Sequence, residues 1–240
     1  MKKKNKKISK LDKKYRKSKG RQSHVREAPV TYKPFIFELT EKKVLAEVKQ
    51  RPYFLQDNFV LYFGDALKIM SELPENSIDM IFADPPYNLS NGGFTVHAGK
   101  RVSVNKGNWD KSKGFKDDYE FHYKWLAACR RILKPHGTLW VSGTYHSIYQ
   151  CGHALQSLGY HILNDIAWFK PNASPNLSGR YFTASHETLI WARKDKKAKH
   201  IFNYKEMKMK SWPEDFFKKE GKQMRSVWHI PEDGGSISGV

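Results

Sequence analysis

The chain has 240 residues, with 43 Lys and Arg against 24 Asp and Glu and a net charge of +19. A body of that size buries roughly 70% of its unfolded surface, so it needs no disulfide or metal staple. Two cysteines far apart in sequence exclude a disulfide frame or a CxxC zinc site, and no apolar run approaches the roughly 20 residues of a membrane span.

Residues 1–30 hold 13 Lys and Arg against two acidic residues and are expected to form a disordered basic arm, able to grip phosphates without reading sequence. Residues 31–57 are read as an N-terminal extension, with Phe35 to Arg51 as an amphipathic helix. The charged N-terminus carries no apolar secretory segment, which with reduced thiols at Cys129 and Cys151 predicts a cytoplasmic protein.

An alternation then begins. Phe59 to Phe63 is a compact apolar strand ending at Gly64-Asp65, and Ala66 to Leu73 has helical spacing up to Pro74. Ile78 to Phe82 is a second strand. Asn88 to Lys116 is a long Gly, Asn, Ser and Lys-rich loop of the kind that is either functional or disordered. Asp117 to Leu133 is the strongest helix, stopped by Lys134-Pro135-His136-Gly137. Strand Thr138 to Val141, helix Tyr145 to Leu158, strand Ile162 to Phe169 and strand Thr188 to Ala192 follow. Near-continuous apolar strands alternating with helices predict an α/β fold with a mostly parallel sheet covered on both faces, whose ligands lie beyond the carboxyl ends of the strands.

The strand from Ile78 ends in Ala83-Asp84-Pro85-Pro86-Tyr87-Asn88. An ionised Asp offers only acceptors, and prolines remove donors while leaving carbonyls and stiffening the turn. A ring follows at Tyr87. Rigid acceptors beside a flat face suit an exocyclic amino group on a planar heterocycle. Accepting its N–H hydrogens would bias that nitrogen towards a tetrahedral form, with its lone pair free to attack an electrophile. For a base in duplex DNA this requires extrusion from the stack, and stacking on Tyr87 would return about 1–3 kcal/mol. The bland alternative is a turn in which Pro-Pro ends a strand and Tyr packs.

The run "DALKIMSELPENSIDMIFADPPYN" (65–88) resembles the amino-methylating DNA methyltransferases that use S-adenosylmethionine. The likeness continues through "WLAACRRILKPHGTLWVSGTYHSIY" (125–149), "GYHILNDIAWFKPNASPNLSGRYFTASHETLIWARK" (159–194) and "KQMRSVWHIP" (222–231). It covers residues 58–231 and is nearest to the β group of adenine-N6 enzymes, among them restriction-modification methylases reading GATC or GANTC. Asp before Pro-Pro-Tyr is the usual adenine form in that family, whereas cytosine-N4 enzymes more often carry Ser there and glutamine-N5 methylases carry Asn.

The resemblance implies a Rossmann-like S-adenosylmethionine-dependent methyltransferase fold, with 58–193 as the catalytic part and 194–240 as the start of target recognition. It implies that Asp84 and the Pro85-Pro86 backbone hold the adenine N6 and that Tyr87 stacks on the base. Asp65, Ala66, Asp84 and Asn88 would contact the cofactor. Lys100, Arg101, Lys106 and Lys111, with Asn176, Arg180 and Tyr181, would approach DNA; a solvated loop is the other reading of the lysines. Trp212, Phe216 and Phe217 are read as packing residues. His146, His153, His186 and His229 form no ligand constellation, and no metal or membrane is implied.

One departure stands out. The β group carries a Thr-Gln-Lys-Pro segment and a Phe-x-Gly-x-Gly loop after the recognition region, and neither occurs here; Gly234 to Gly239 follows no strand. The strands ending at Asp65 and Asp84 are then expected either to pair directly or to leave edges exposed. Three readings are open: an incomplete adenine-N6 methyltransferase, a split enzyme with a complementing C-terminal polypeptide, and a non-catalytic DNA-binding remnant. A cytosine-N4 enzyme is the alternative chemistry, and a homodimer is a further possible partner state.

Overall fold

A computed structural model describes residues 47–56, 59–90, 94–97, 100–103, 105–171, 173, 175, 178–210, 212, 214–215 and 218–229, with backbone alone at 94–97, 100 and 101. All lie in the second of two units into which the chain divides, Leu39–Val240. The basic arm, residues 35–46 of the expected first helix, Asn176, Phe216, Phe217 and the late glycine cluster fall outside the described residues. Residues 48–51 are irregular rather than helical.

Strands β1 (Phe54–Gln56) and β2 (Phe59–Leu61) pair antiparallel as a separate two-stranded sheet. The expected strand at Phe59 thus does not join the main sheet. Its rings face outward, with Phe54, Phe59 and Phe63 exposed. Helix α1 (Ala66–Glu72) starts where Asp65 Oδ1 accepts from Leu67 N at 2.9 Å and Lys68 N at 3.4 Å, an N-cap that serves two orphan donors. At its other end Arg131 donates to Met70 O at 2.5 Å and Leu73 O at 2.9 Å, placing a cation where the helix carbonyls are unpaired.

Strand β3 (Ile78–Ala83) follows, as the apolar run predicts. The long loop is not structureless: β4 (Phe94–His97) and β5 (Lys100–Ser103) form an antiparallel hairpin, and Asn108–Asp110 make a 3-10 turn. Helix α2 (Phe115–Ile132) leads straight into β6 (Leu133–Gly143), so Lys134-Pro135-His136-Gly137 ends the helix but does not delay the strand. Helix α3 (Ile148–Ser157), β7 (His161–Phe169), β8 (His186–Arg193), α4 (Tyr204–Met209) and β9 (Val227–His229) complete the described elements.

The main sheet has the order β3-β6-β8-β7-β9. It is mixed, which corrects the expected mostly parallel sheet: β3–β6 and β7–β9 are parallel, while β6–β8 and β7–β8 are antiparallel. The return of β8 between β6 and β7 needs only the 170–185 loop, because antiparallel neighbours require no crossover helix. On one face, Leu139, Val141, Ile190 and Ala192 pack with Leu126, Cys129, Cys151 and Leu155 of α2 and α3 as the core. Both thiols are free and buried, and burial pushes each up to about 12. On the opposite face Trp140 and Trp191 stack at 5.0 Å, with Phe202 beside Trp191. Strand β3 forms one edge: Met80 and Phe82 are 58% and 59% exposed, and among the described residues only β6 pairs with it.

The β3–β6 register shifts between Ile78 and Met80, where Gly137 allows close approach. A Cβ there would lie 3.0 Å from Lys134 O and 3.1 Å from Ile78 O, and neither backbone atom can swing away. Lys134 lies across the same irregularity, 2.8 and 2.9 Å from the two Asp79 oxygens. Gly137→Ala is expected to destabilise the chain by about 1–3 kcal/mol, seen as a lower urea midpoint at unchanged slope. An unchanged midpoint would contradict the packing described for this turn.

Candidate active site

The carboxyl ends of β3, β6 and β7 and the start of antiparallel β8 meet at one margin of the sheet, the usual ligand position in α/β folds. Asp84 follows β3. Its Oδ1 accepts from Ser142 Oγ of β6 at 2.5 Å and from Tyr87 Oη at 2.7 Å. Ser142 Oγ also lies 3.2 Å from Ala83 O, tying the two strand ends together. Glu187 of β8 places Oε2 at 3.5 Å from Tyr87 Oη. Glu187 is in turn ion-paired with Lys170, just past β7, and the Lys170 ammonium lies 4.5 Å from the Trp168 ring centroid. Burial, reinforced by the Glu187 and Asp84 carboxylates, pushes the Tyr87 hydroxyl above the usual tyrosine range, so it stays protonated and donates.

The turn after the prolines is gathered by Asp110, which is 1% exposed. Its Oδ1 accepts from Tyr87 N at 3.1 Å and Asn88 N at 3.0 Å; its Oδ2 accepts from Leu89 N at 3.2 Å and Ser90 Oγ at 2.8 Å. Successive N–H groups pointing inward form an anion-binding concavity, and the chain fills it with its own carboxylate. Asn88 makes the bend at φ 59°, a left-handed conformation that Asn tolerates better than most residues. Ser90 Oγ accepts from Lys106 N at 2.8 Å, and Lys106 Nζ sits 5.9 Å from the centre of the Tyr87 ring. Asp118 then holds the entry to α2 by accepting from Ser112 Oγ and Lys113 N.

The predicted residues therefore divide. Asp84, Tyr87, Asn88 and Lys106 come together, with Pro85 and Pro86 half-buried between them. Asp65 and Ala66 begin α1, where Asp65 acts as the helix cap. Lys111 is exposed directly after Asp110, and Lys100 and Arg101 lie on β5. Arg180 and Tyr181 lie in the β7–β8 loop, with Tyr181 70% exposed, and Asn176 lies outside the described residues. The sequence reading missed Asp110, Ser142, Lys170 and Glu187. Of these only Asp110 carried a local signal, as the single carboxylate in a basic, glycine-rich stretch. His122, also missed, is a packing residue: Trp125 Nε1 donates to its Nδ1 at 3.1 Å and burial lowers its pKa. Among the described residues no cluster of His, Cys, Asp and Glu could hold a metal ion.

Asp110→Asn would face an amide N–H2 towards existing donors. It is expected to cost about 1–3 kcal/mol and to raise amide exchange at Tyr87, Asn88 and Leu89 above that of the β6 core. Exchange at those three amides unchanged from the parent would contradict the role given to Asp110.

Comparison with known proteins gives the family of the chain. A family model described as DNA methylase matches residues 78–236, which span β3 to β9 and the whole Asp84 cluster. The chain is 47% identical over 191 residues to "Type II methyltransferase M2.LlaDCHI" of Lactococcus lactis subsp. cremoris, covering 79% of this chain and 68% of that protein. It is 49% identical over 179 residues to "Type II methyltransferase M2.DpnII" of Streptococcus pneumoniae, covering 74% and 64% respectively. The chain thus spans about two thirds of the length of these relatives. Among solved structures, the cytosine-N4-specific PvuII DNA methyltransferase matches with a TM-score of 0.53 at 15% identity, covering 80% of this chain and 64% of that one; at that identity the likeness is one of fold. Matched across its sheet and across the Asp84 turn, the chain belongs to the DNA methylase family.

Proposed function

We propose that the protein transfers a methyl group from S-adenosylmethionine to N6 of an adenine extruded from DNA, as part of a restriction-modification system. The observation that carries this reading is the Asp84 carboxylate at the end of β3, held by Ser142 and already receiving a donor from Tyr87. An acceptor fixed beside an aromatic ring suits an amino-bearing base.

Asp84 accepts one N–H of the target amino group, the Pro85-Pro86 backbone accepts the other, and Tyr87 stacks on the ring. Asp84 would hold the nitrogen with its lone pair towards the methyl donor and would take the proton that the nitrogen sheds as an N–C bond replaces the donor's C–S bond. S-adenosylmethionine supplies the methyl group on a positively charged sulfur. The chain itself contributes position and polarisation, the two effects that most lower the barrier to such a displacement. Asp65, Ala66, Asp84 and Asn88 are the residues proposed to hold the cofactor. The fit is chemical: Asp65 caps α1 through Oδ1 only among its described hydrogen bonds and stands at the surface, able to accept from the cofactor's amino group.

Lys106, beside Tyr87, and exposed Lys111, Arg180 and Tyr181 are proposed DNA contacts, with Lys100, Arg101 and Asn176 on the same grounds of family likeness. The edge of β3, unpaired among the described residues and with Met80 and Phe82 exposed, is where a strand from a complementing polypeptide would add. A second copy of the chain is the other proposed partner, and the outward rings of Phe54, Phe59 and Phe63 are apolar surface it would cover. No described helix is long and apolar enough to cross a membrane. The buried free thiols support a cytoplasmic location.

Labelled-methyl transfer to adenine-containing DNA tests the reading. Label is expected in N6-methyladenine and is expected to fall about 100-fold or more in Asp84→Ala. Label in cytosine would overturn the adenine assignment. Transfer undiminished by Asp84→Ala would overturn the site.

A further inference from the structure

The amino-clamp reading leaves one group without an assigned task, and the inference here rests on that reading. A phenol has a single hydrogen to donate. Tyr87 donates it to Asp84 Oδ1 at 2.7 Å, so its 3.5 Å approach to Glu187 Oε2 stays at the outer limit of a hydrogen bond. Glu187 is nonetheless an expensive residue to place there. Its side chain is only 17% exposed, and it is matched by Lys170, itself 23% exposed and resting against Trp168. Glu187 lies on β8 and Lys170 just past β7, two and three strands from Asp84 in the sheet order, so the pair enters the site through the fold rather than through the turn.

When a target amino group claims Asp84 Oδ1, an oxygen that already accepts from Ser142 Oγ and Tyr87 Oη, the Tyr87 hydroxyl is the donor displaced, while its ring stays in place as the stacking face. A part-buried hydroxyl without an acceptor is unfavourable. We propose that Glu187 is the positioning residue to which the Tyr87 hydroxyl turns when the target amino group takes Asp84, with Lys170 holding Glu187 ready to receive it. The movement required is small, roughly 1 Å from a 3.5 Å approach to ordinary hydrogen-bond distance. The two carboxylates thus divide the work: Asp84 touches the substrate, and Glu187 acts through Tyr87. The charged groups facing the hydroxyl are these two and, through Glu187, Lys170; Lys106 approaches the ring instead.

Two measurements on the full chain test this. Asp84→Ala removes the first acceptor and so imitates its engagement. Its crystal structure is expected to show Tyr87 Oη within about 3 Å of a Glu187 oxygen. A hydroxyl no nearer to Glu187 than before, or a ring swung away, would overturn the proposal. Kinetics give the second arm. Glu187→Gln is expected to lower kcat about tenfold with KM within about twofold, and to have no further effect in a Tyr87→Phe background. Losses that multiply in the double variant would show that Glu187 acts other than through the tyrosine hydroxyl. Failure of the unsubstituted protein to transfer methyl groups would count against the catalytic reading alone, and the crystallographic arm would still decide the role of Glu187.

Discussion

The buried carboxylate of Asp110 is the constraint on which the site depends. A turn made of Pro85-Pro86-Tyr87-Asn88 has few internal hydrogen bonds available, because prolines lack donors and the following amides point inward together. Water would satisfy those amides in many arrangements. Asp110 satisfies Tyr87 N, Asn88 N, Leu89 N and Ser90 Oγ in one arrangement, from the far end of the same loop. The loop therefore closes on itself, the Tyr87 ring is aimed at the end of β3, and Lys106 is brought to that ring on the way.

The mixed sheet supplies the other half. Parallel β3 and β6 deliver Asp84 and Ser142 to one margin, and antiparallel β8 begins where β6 ends, so Glu187 arrives at the same margin from the opposite chain direction. Two carboxylates flank one hydroxyl, and Lys170 offsets part of their charge. Acceptors beside a flat ring favour a neutral donor group over an anion. Lys106, from the same loop, brings a positive charge to 5.9 Å from the centre of the Tyr87 ring.

Much of this was legible in the sequence, for local reasons. Ile78 to Phe82 is a continuous apolar run closed by Asp-Pro-Pro, so both the strand and the turn that ends it could be read directly. The helix over Phe115–Ile132 shows an acidic start and a basic finish. What was not legible depends on chain direction or on distant partners. The order β6-β8-β7 follows from which strands share an edge, and apolar runs alone do not distinguish an antiparallel return from a crossover. Lys134-Pro135-His136-Gly137 reads as a break, yet the bulge against Ile78 absorbs it within β6. Glu187 sits in an ordinary strand sequence, and only its approach to Tyr87, 100 residues earlier, gives it meaning. Asp65 shows the reverse case: its local capping role is visible in the structure, and any further role rests on family likeness.

The assignment of Asp84 and Tyr87 to the target base is tested most directly by a crystal structure of the protein with S-adenosylmethionine and adenine-containing DNA. An extruded adenine is expected, with N6 within hydrogen-bonding distance of Asp84 and its ring against Tyr87. An adenine still stacked in the duplex, or bound with N6 turned away from Asp84, would contradict that assignment.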